Sequence, residues 1–346
     1  MARRQVTIKD IARELGFATS TVSRALNNNW EVSRETRDLV LQKAREMNYH
    51  PNAQARGLVT QHSKMIGMVV PELFRSTFFA RVAHGIQTVL LPQGYQLILT
   101  QSNESPEEER KLLQMLRSNN MDGIIVCTAT DSGYNQDLFE EFVRDGIALV
   151  FISRVCNAVR VPKIVVNDAQ MAYHIVDHLC EEGCRRIVYL AGPEGIPSSR
   201  NRENGYRQAL EAHGIPFDER YIIPSGLSVQ DGVEAMDKLL DGAFRPDGVF
   251  AFNDNVAFGA MRVLKEKGIR IPEDIALAGF SDSLASTLVE PGLTSVAQPL
   301  NEMGTQAAAC LLRQLEGFEP ADTTIMLEGK LVIRQSSLHK HSRSEI

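Results

Sequence analysis

The stretch Thr7-Ile8-Lys9-Asp10-Ile11-Ala12-Arg13-Glu14-Leu15-Gly16-Phe17-Ala18-Thr19-Ser20-Thr21-Val22-Ser23-Arg24-Ala25-Leu26-Asn27 admits few folds. Thr7 suits a helix N-cap, and Asp10 stands three residues on, in the capping-box position. Ile8, Ile11, Ala12 and Leu15 then recur at helical spacing on one face. Gly16 supplies the positive φ that ends a helix. A second helix over Ala18–Leu26 is expected to bury Ala18, Val22 and Leu26 and to leave Thr19, Ser20, Ser23 and Arg24 outside. A third, from a Ser33 cap to about Met47, carries Val40, Leu41, Ala44 and Met47 as its apolar stripe. The outer face of the second helix is small and polar with one arginine, which suits a helix lying in a major groove.

Charge separates this head from the rest of the chain. Residues 1–60 hold ten Lys/Arg against six Asp/Glu, a net of +4, whereas residues 61–346 hold 27 against 37, a net of −10. A basic head on an acidic body fits a chain of which one end meets phosphate. The N-terminus, Met1-Ala2-Arg3-Arg4-Gln5, has no apolar signal segment, and no apolar run is long enough to span a bilayer, so a cytoplasmic location without membrane contact is expected. Five scattered cysteines (127, 156, 180, 184, 310) fit reduced thiols.

From Lys64 the pattern becomes strand, helix, strand. Expected strands are Met65–Val70, Tyr95–Thr100, Gly123–Cys127 and Ala148–Ile152, with helices over 78–91, 106–118 and 137–145 between them. A second round begins near Ile164, with strands at 186–191, 248–251 and 275–279 and helices over 169–182, 199–213, 229–240 and 255–267. The fold class is therefore α/β: a helix-turn-helix head of three helices and a two-lobed body of doubly wound parallel sheets, whose crevice at the strand carboxyl ends is the place for a ligand.

The head resembles the LacI/GalR family of transcriptional regulators through residues 7–12, Thr21-Val22-Ser23-Arg24-Ala25-Leu26-Asn27, Val32-Ser33 and Asn48-Tyr49-His50-Pro51-Asn52. The resemblance continues in the body at Ala191-Gly192-Pro193, Ser199-Arg200, Gly205-Tyr206, Phe252-Asn253-Asp254, Ile271-Pro272-Glu273-Asp274-Ile275, Gly279-Phe280, Leu293-Thr294-Ser295-Val296 and Gln298-Pro299. It implies a periplasmic-binding-protein-like body whose chain crosses between lobes near 161, 291 and 322. The domains expected are a DNA-binding head at 1–50, a hinge helix or linker at 51–62, a first lobe at 63–161 plus 292–321, a second at 162–291 plus 322–338, and a disordered tail at 339–346.

On this reading Thr19 and Ser20 select bases, Arg24 takes a guanine edge or a phosphate, and Thr7, Thr21, Ser23 and Asn27 hold phosphates. The resemblance implies a short hinge helix carrying Asn52, Ala55 and Leu58 to the DNA, with Leu58 as a minor-groove wedge. Val59 stands where some members carry a basic residue. In the crevice the resemblance assigns Phe78 and Phe79 to stacking, Arg200 to effector oxygens, and Asn253 and Gln298 to sugar hydroxyls. Asp254 is expected to cap the helix that follows it. Many sugar-binding members carry aspartates where this chain has Ser153, before Arg154, and Ser281. Two carboxylates fewer beside Arg154 and Arg200 imply a more positive crevice, hence an anionic sugar. Local packing of the serines around a neutral sugar is the alternative, with Leu227 where relatives stack a ring.

The function implied is ligand-controlled repression by a homodimer on pseudo-palindromic double-stranded DNA, with a sugar or sugar derivative as effector and either induction or corepression open. A transport-type solute-binding protein should have an export signal and no basic head. An enzyme needs a nucleophile and base, and the chain has no Gly-x-Ser-x-Gly elbow and no phosphate-binding glycine loop. His174 and His178, four apart and followed by Cys180 and Cys184, read as an amphipathic helix rather than a zinc site, so neither a metal nor a cofactor is expected.

Overall fold

The computed structural model describes residues 6–27, 30–49, 62–74, 77–319 and 322–338. The chain divides into two units, Met1–Ser63 and Lys64–Ile346. The expected hinge residues Asn52, Ala55 and Leu58 and the tail 339–346 lie outside the described residues.

In the first unit, helices α1 (Ile8–Leu15), α2 (Thr19–Leu26) and α3 (Arg34–Glu46) enclose a small core of Ile11, Ala12, Val22, Ala25, Val32, Val40 and Ala44. The Asp10 carboxylate accepts from the Thr7 backbone N–H at 2.9 Å and its hydroxyl at 2.7 Å, and Gly16 ends α1 at φ 67°. The Ser33 hydroxyl accepts from Thr36 N–H at 3.2 Å and caps α3. Ala18 differs from expectation. It is the N-cap of α2, in extended backbone before the first turn, and is exposed, while Ala25, three residues after Val22, takes the buried position.

The body owes its architecture to short apolar runs buried on both faces. Its first sheet is wholly parallel in the order β11-β5-β4-β3-β1-β2, from β1 (Met65–Val70), β2 (Gln96–Gln101), β3 (Gly123–Val126), β4 (Ala148–Ile152), β5 (Lys163–Val166) and β11 (Thr324–Leu327). Alternate residues face opposite sides. Ile66, Met68, Ile125 and Val150 pack with Val82, Ile86, Met303 and Leu311 of helices Phe78–Leu90 and Leu300–Leu315. Val69, Ile124, Leu149 and Phe151 pack with Leu113, Leu116, Phe139 and Phe142 of helices Pro106–Ser118 and Gln136–Arg144. The second sheet repeats the scheme as β7-β6-β8-β9, from β6 (Ile187–Ala191), β7 (Ile222–Pro224), β8 (Gly248–Ala251) and β9 (Ala276–Ala278). Helices Asp168–Glu181 and Pro197–Ala212 cover one face, Val229–Asp241 and Asp254–Glu266 the other.

The crossings fall a few residues later than the sequence implies. β5 and β11 belong to the first sheet, so the chain leaves it after Val166 and after Leu327 rather than near 161 and 322. Thr294 bridges Ala278 and Ala297 bridges Ser281, which holds β10 (Ser295–Ala297) to the second lobe until Gln298. β10 also pairs antiparallel with β12 (Lys330–Val332).

The helices Asp168–Glu181 and Pro197–Ala212 touch at Gly205, where an added Cβ would lie 2.1 Å from the Ala169 carbonyl oxygen. His178 is buried with Nε2 2.7 Å from the Ser337 hydroxyl, and none of the five cysteines is in a disulfide. Among the described residues no helix is long and apolar enough to cross a membrane, and no cluster of three or more His, Cys, Asp or Glu could hold a metal.

Candidate functional site

In the head, α2 exposes Thr19, Ser20 and Arg24 and half-exposes Thr21 and Ser23, because Val22 and Ala25 turn the opposite side into the core. Ser20 and Arg24, four apart, share a face. Thr7 and Asn27 are exposed at the start of α1 and the end of α2.

In the body, the two lobes face each other across a crevice with about 790 Å³ of space between its walls, part of it open to solvent. Each wall is built from residues just past a strand's carboxyl end, as parallel sheets dictate. Glu72 follows β1, Glu104 follows β2, and Ser153 and Arg154 follow β4, with Phe78 and Phe79 opening the first-lobe helix. Opposite them lie Ser198, Arg202, Leu227, Phe252, Asn253, Asp254, Asn255, Ser281 and Ser283, with Gln298 at the crossing. Phe79 is buried, and Phe78 stands edge-on to it at 4.9 Å between ring centres, half exposed to the crevice.

Of the residues expected here, Phe78, Phe79, Ser153, Arg154, Asn253, Ser281 and Gln298 all line the crevice. Arg200 does not. It is exposed on the helix Pro197–Ala212, and Arg202, about 200° further round that helix, faces the crevice instead. Arg202 lies three residues before Gly205 and so shares the close-packed face, a periodicity that could have found it. Its Nη2 is 2.7 Å from the Asp168 carboxylate, its Nη1 donates to the Phe252 carbonyl, and its guanidinium lies 3.6 Å from the Phe280 ring centre and 4.4 Å from that of Phe252.

The cap of the helix Asp254–Glu266 is also displaced by one residue. Asn253 Oδ1 accepts from Val256 N–H at 2.8 Å while its Nδ2 donates to the Leu227 carbonyl at 3.1 Å. Asp254 is buried and accepts from Ser283 N–H at 2.7 Å and from the Ser286 and Ser295 hydroxyls at 2.9 and 2.5 Å. Burial pushes its carboxyl above the usual range, and the Ser295, Ser283 and Ser286 bonds oppose that shift. Those bonds tie down the loop carrying Ser281, whose hydroxyl accepts from Gln298 Nε2 at 3.2 Å.

Neither crevice arginine lacks a carboxylate. Arg154 Nη1 is 2.6 Å from Glu104, and Arg202 holds Asp168. Glu72, Glu104 and Asp254 set three acids in the lining against two bases. The second Glu104 oxygen, Oε1, is buried without a hydrogen-bond partner.

A family profile described as "Bacterial regulatory proteins, lacI family" matches residues 7–52, and one described as "Periplasmic binding protein-like domain" matches residues 176–337. The chain is 32% identical over 333 residues to HTH-type transcriptional regulator DegA of Bacillus subtilis (strain 168), covering 96% of this chain and 98% of the relative. It belongs to the lacI family of bacterial regulatory proteins. Another member, HTH-type transcriptional repressor CytR of Escherichia coli (strain K12), is 31% identical over 331 residues, 96% of each chain. A solved transcriptional regulator CelR–cellobiose complex shares 30% identity at a TM-score of 0.73 and covers 96% of this chain and 100% of that one. The Lac repressor dimer bound to operator and the anti-inducer ONPF has the same fold, with a TM-score of 0.85 at 24% identity over 97% of this chain and all of that one. This lacI-family chain is thus a DNA-binding transcription regulator, and the relatives named are regulators rather than enzymes.

Proposed function

We propose that this regulator represses transcription as a homodimer on a pseudo-palindromic operator, and that a neutral carbohydrate in the crevice sets its affinity for that operator. Two heads related by a two-fold axis suit two half-sites, with α2 of each in a major groove. On this reading Thr19, Ser20 and Arg24, exposed on α2, meet base edges, and Thr7, Thr21, Ser23 and Asn27 meet phosphates. The CelR–cellobiose complex supports a sugar as the class of effector.

The charge pairing of the crevice carries the choice between neutral and anionic effectors. An anionic sugar needs arginines with unopposed charge, and both crevice arginines already face a carboxylate. Glu72 and Glu104 line the crevice, and a phosphate placed there would meet like charge. The half-exposed ring of Phe78 offers an apolar face to a sugar ring, while the Asn253 and Gln298 amides supply donors and acceptors. Calorimetric titration of a panel of neutral mono- and disaccharides against their phosphates and uronates tests this. Tighter binding of a neutral sugar is expected, and preference for a phosphate or uronate overturns it.

A further inference from the structure

Arg24, on the exposed face of α2, rests against an acid. Its Nε lies 3.3 Å from a carboxylate oxygen of Glu31, in the turn that leads to α3, and the two side chains are 54% and 45% exposed. So open an ion pair adds little to the stability of a fold. Glu31 also places a negative charge beside the helix that must approach phosphates, which lowers affinity for any duplex. An acid that weakens general DNA affinity on this face needs an account. The geometry of the contact supplies one. Glu31 engages the Nε edge of the guanidinium, and the opposite edge, formed by Nη1 and Nη2, is the fork that matches O6 and N7 of guanine. A long exposed arginine otherwise loses rotamer freedom on binding, and holding it beforehand removes part of that cost.

We propose that Glu31 is a positioning residue that holds Arg24 for end-on recognition of guanine, and that it thereby sets the specificity of the head rather than its affinity. The proposal rests on the reading of α2 as the helix that enters the major groove. Its test uses the full-length protein. A preferred duplex is first recovered by selection from a randomised library, and fluorescence anisotropy then compares that duplex with a scrambled one for wild type, Glu31→Gln, Arg24→Ala and the double variant. Glu31→Gln should bind the scrambled duplex more tightly and lose about tenfold of the preference for the selected one. In the Arg24→Ala background the same substitution should leave the preference unchanged, because Glu31 acts through Arg24. Equal shifts on both duplexes, or equal losses of preference in both backgrounds, would show Glu31 to be net charge only and overturn the proposal. A wild type without preference for any duplex would instead overturn the groove reading on which it rests.

Discussion

Replacing Arg202 by methionine should destabilise the body by about 3–5 kcal/mol near neutral pH, the usual cost of stranding one partner of a buried ion pair. Arg202 is 6% exposed, and its Nε and Nη2 both contact Asp168, which is itself 13% exposed in its side chain. Losing the stack on Phe280 and Phe252 adds about 0.5–2 kcal/mol, offset in part by the apolar methionine that fills the same space. Converting Asp168 to leucine in the same chain removes the stranded charge, and apolar replacement of a whole buried pair is often close to neutral, so Asp168→Leu/Arg202→Met should recover most of the loss. The single variant carries a pH signature. Burial raises the Asp168 carboxyl and Arg202 opposes that shift, so without Arg202 it rises further. A group whose pKa is raised on folding takes up a proton, and its contribution is present at low pH and lost as pH rises through the folded value. The deficit of Arg202→Met should therefore narrow as pH is lowered from 8 toward 5. Urea unfolding followed by circular dichroism at several pH values measures all three effects. A single variant within about 1 kcal/mol of wild type, or a double variant no more stable than the single, would refute the reasoning.

Gly205→Ala must push the helices Asp168–Glu181 and Pro197–Ala212 apart, since its Cβ would lie 2.1 Å from the Ala169 carbonyl, and should lower stability by about 1–3 kcal/mol, seen as a drop in melting temperature. Asn253→Ala should cost about 1 kcal/mol by uncapping the helix Asp254–Glu266 and should also weaken sugar binding by calorimetry, whereas a substitution acting on the cap alone would leave the sugar affinity as it was. In the head, Thr21→Val should weaken selected and scrambled duplexes alike and leave the salt slope unchanged, because a hydroxyl neutralises no phosphate, while Ser20→Ala should change which base is preferred at one position of each half-site, both read by anisotropy.

What could be read before the structure is what depends on neighbours along the chain. The Thr7–Asp10 cap, the Gly16 turn and the period of Ile11, Ala12 and Val22 are local, and together they specify the head. The strand runs were equally legible and put a ligand crevice at their carboxyl ends, while the family resemblance rather than the strand pattern pointed to Ser153, Arg154, Asn253 and Ser281, which line it. Edge strands were harder to assign. Nothing in Lys163–Val166 or Thr324–Leu327 says which lobe's sheet they join, so the crossings came out several residues early. A one-residue slip in a cap, from Asn253 to Asp254, arises because two adjacent residues are both good caps. Pairings such as Arg154 with Glu104, fifty residues apart, have no local signal, and they offset the positive charge expected of the crevice. Arg200 and Arg202 differ only by their position round one helix turn, which the spacing to Gly205 decides.

The central claim is that the crevice and the head are coupled, and reciprocity is its most direct test. The operator affinity of the full-length protein is measured by anisotropy with and without the neutral sugar found by calorimetry, and the sugar affinity is measured with and without the operator duplex. The account predicts that the sugar changes the operator Kd and that the operator changes the sugar Kd by the same factor, about 5–150-fold for a typical allosteric coupling. A sugar that binds the crevice and leaves the operator Kd unchanged would contradict it.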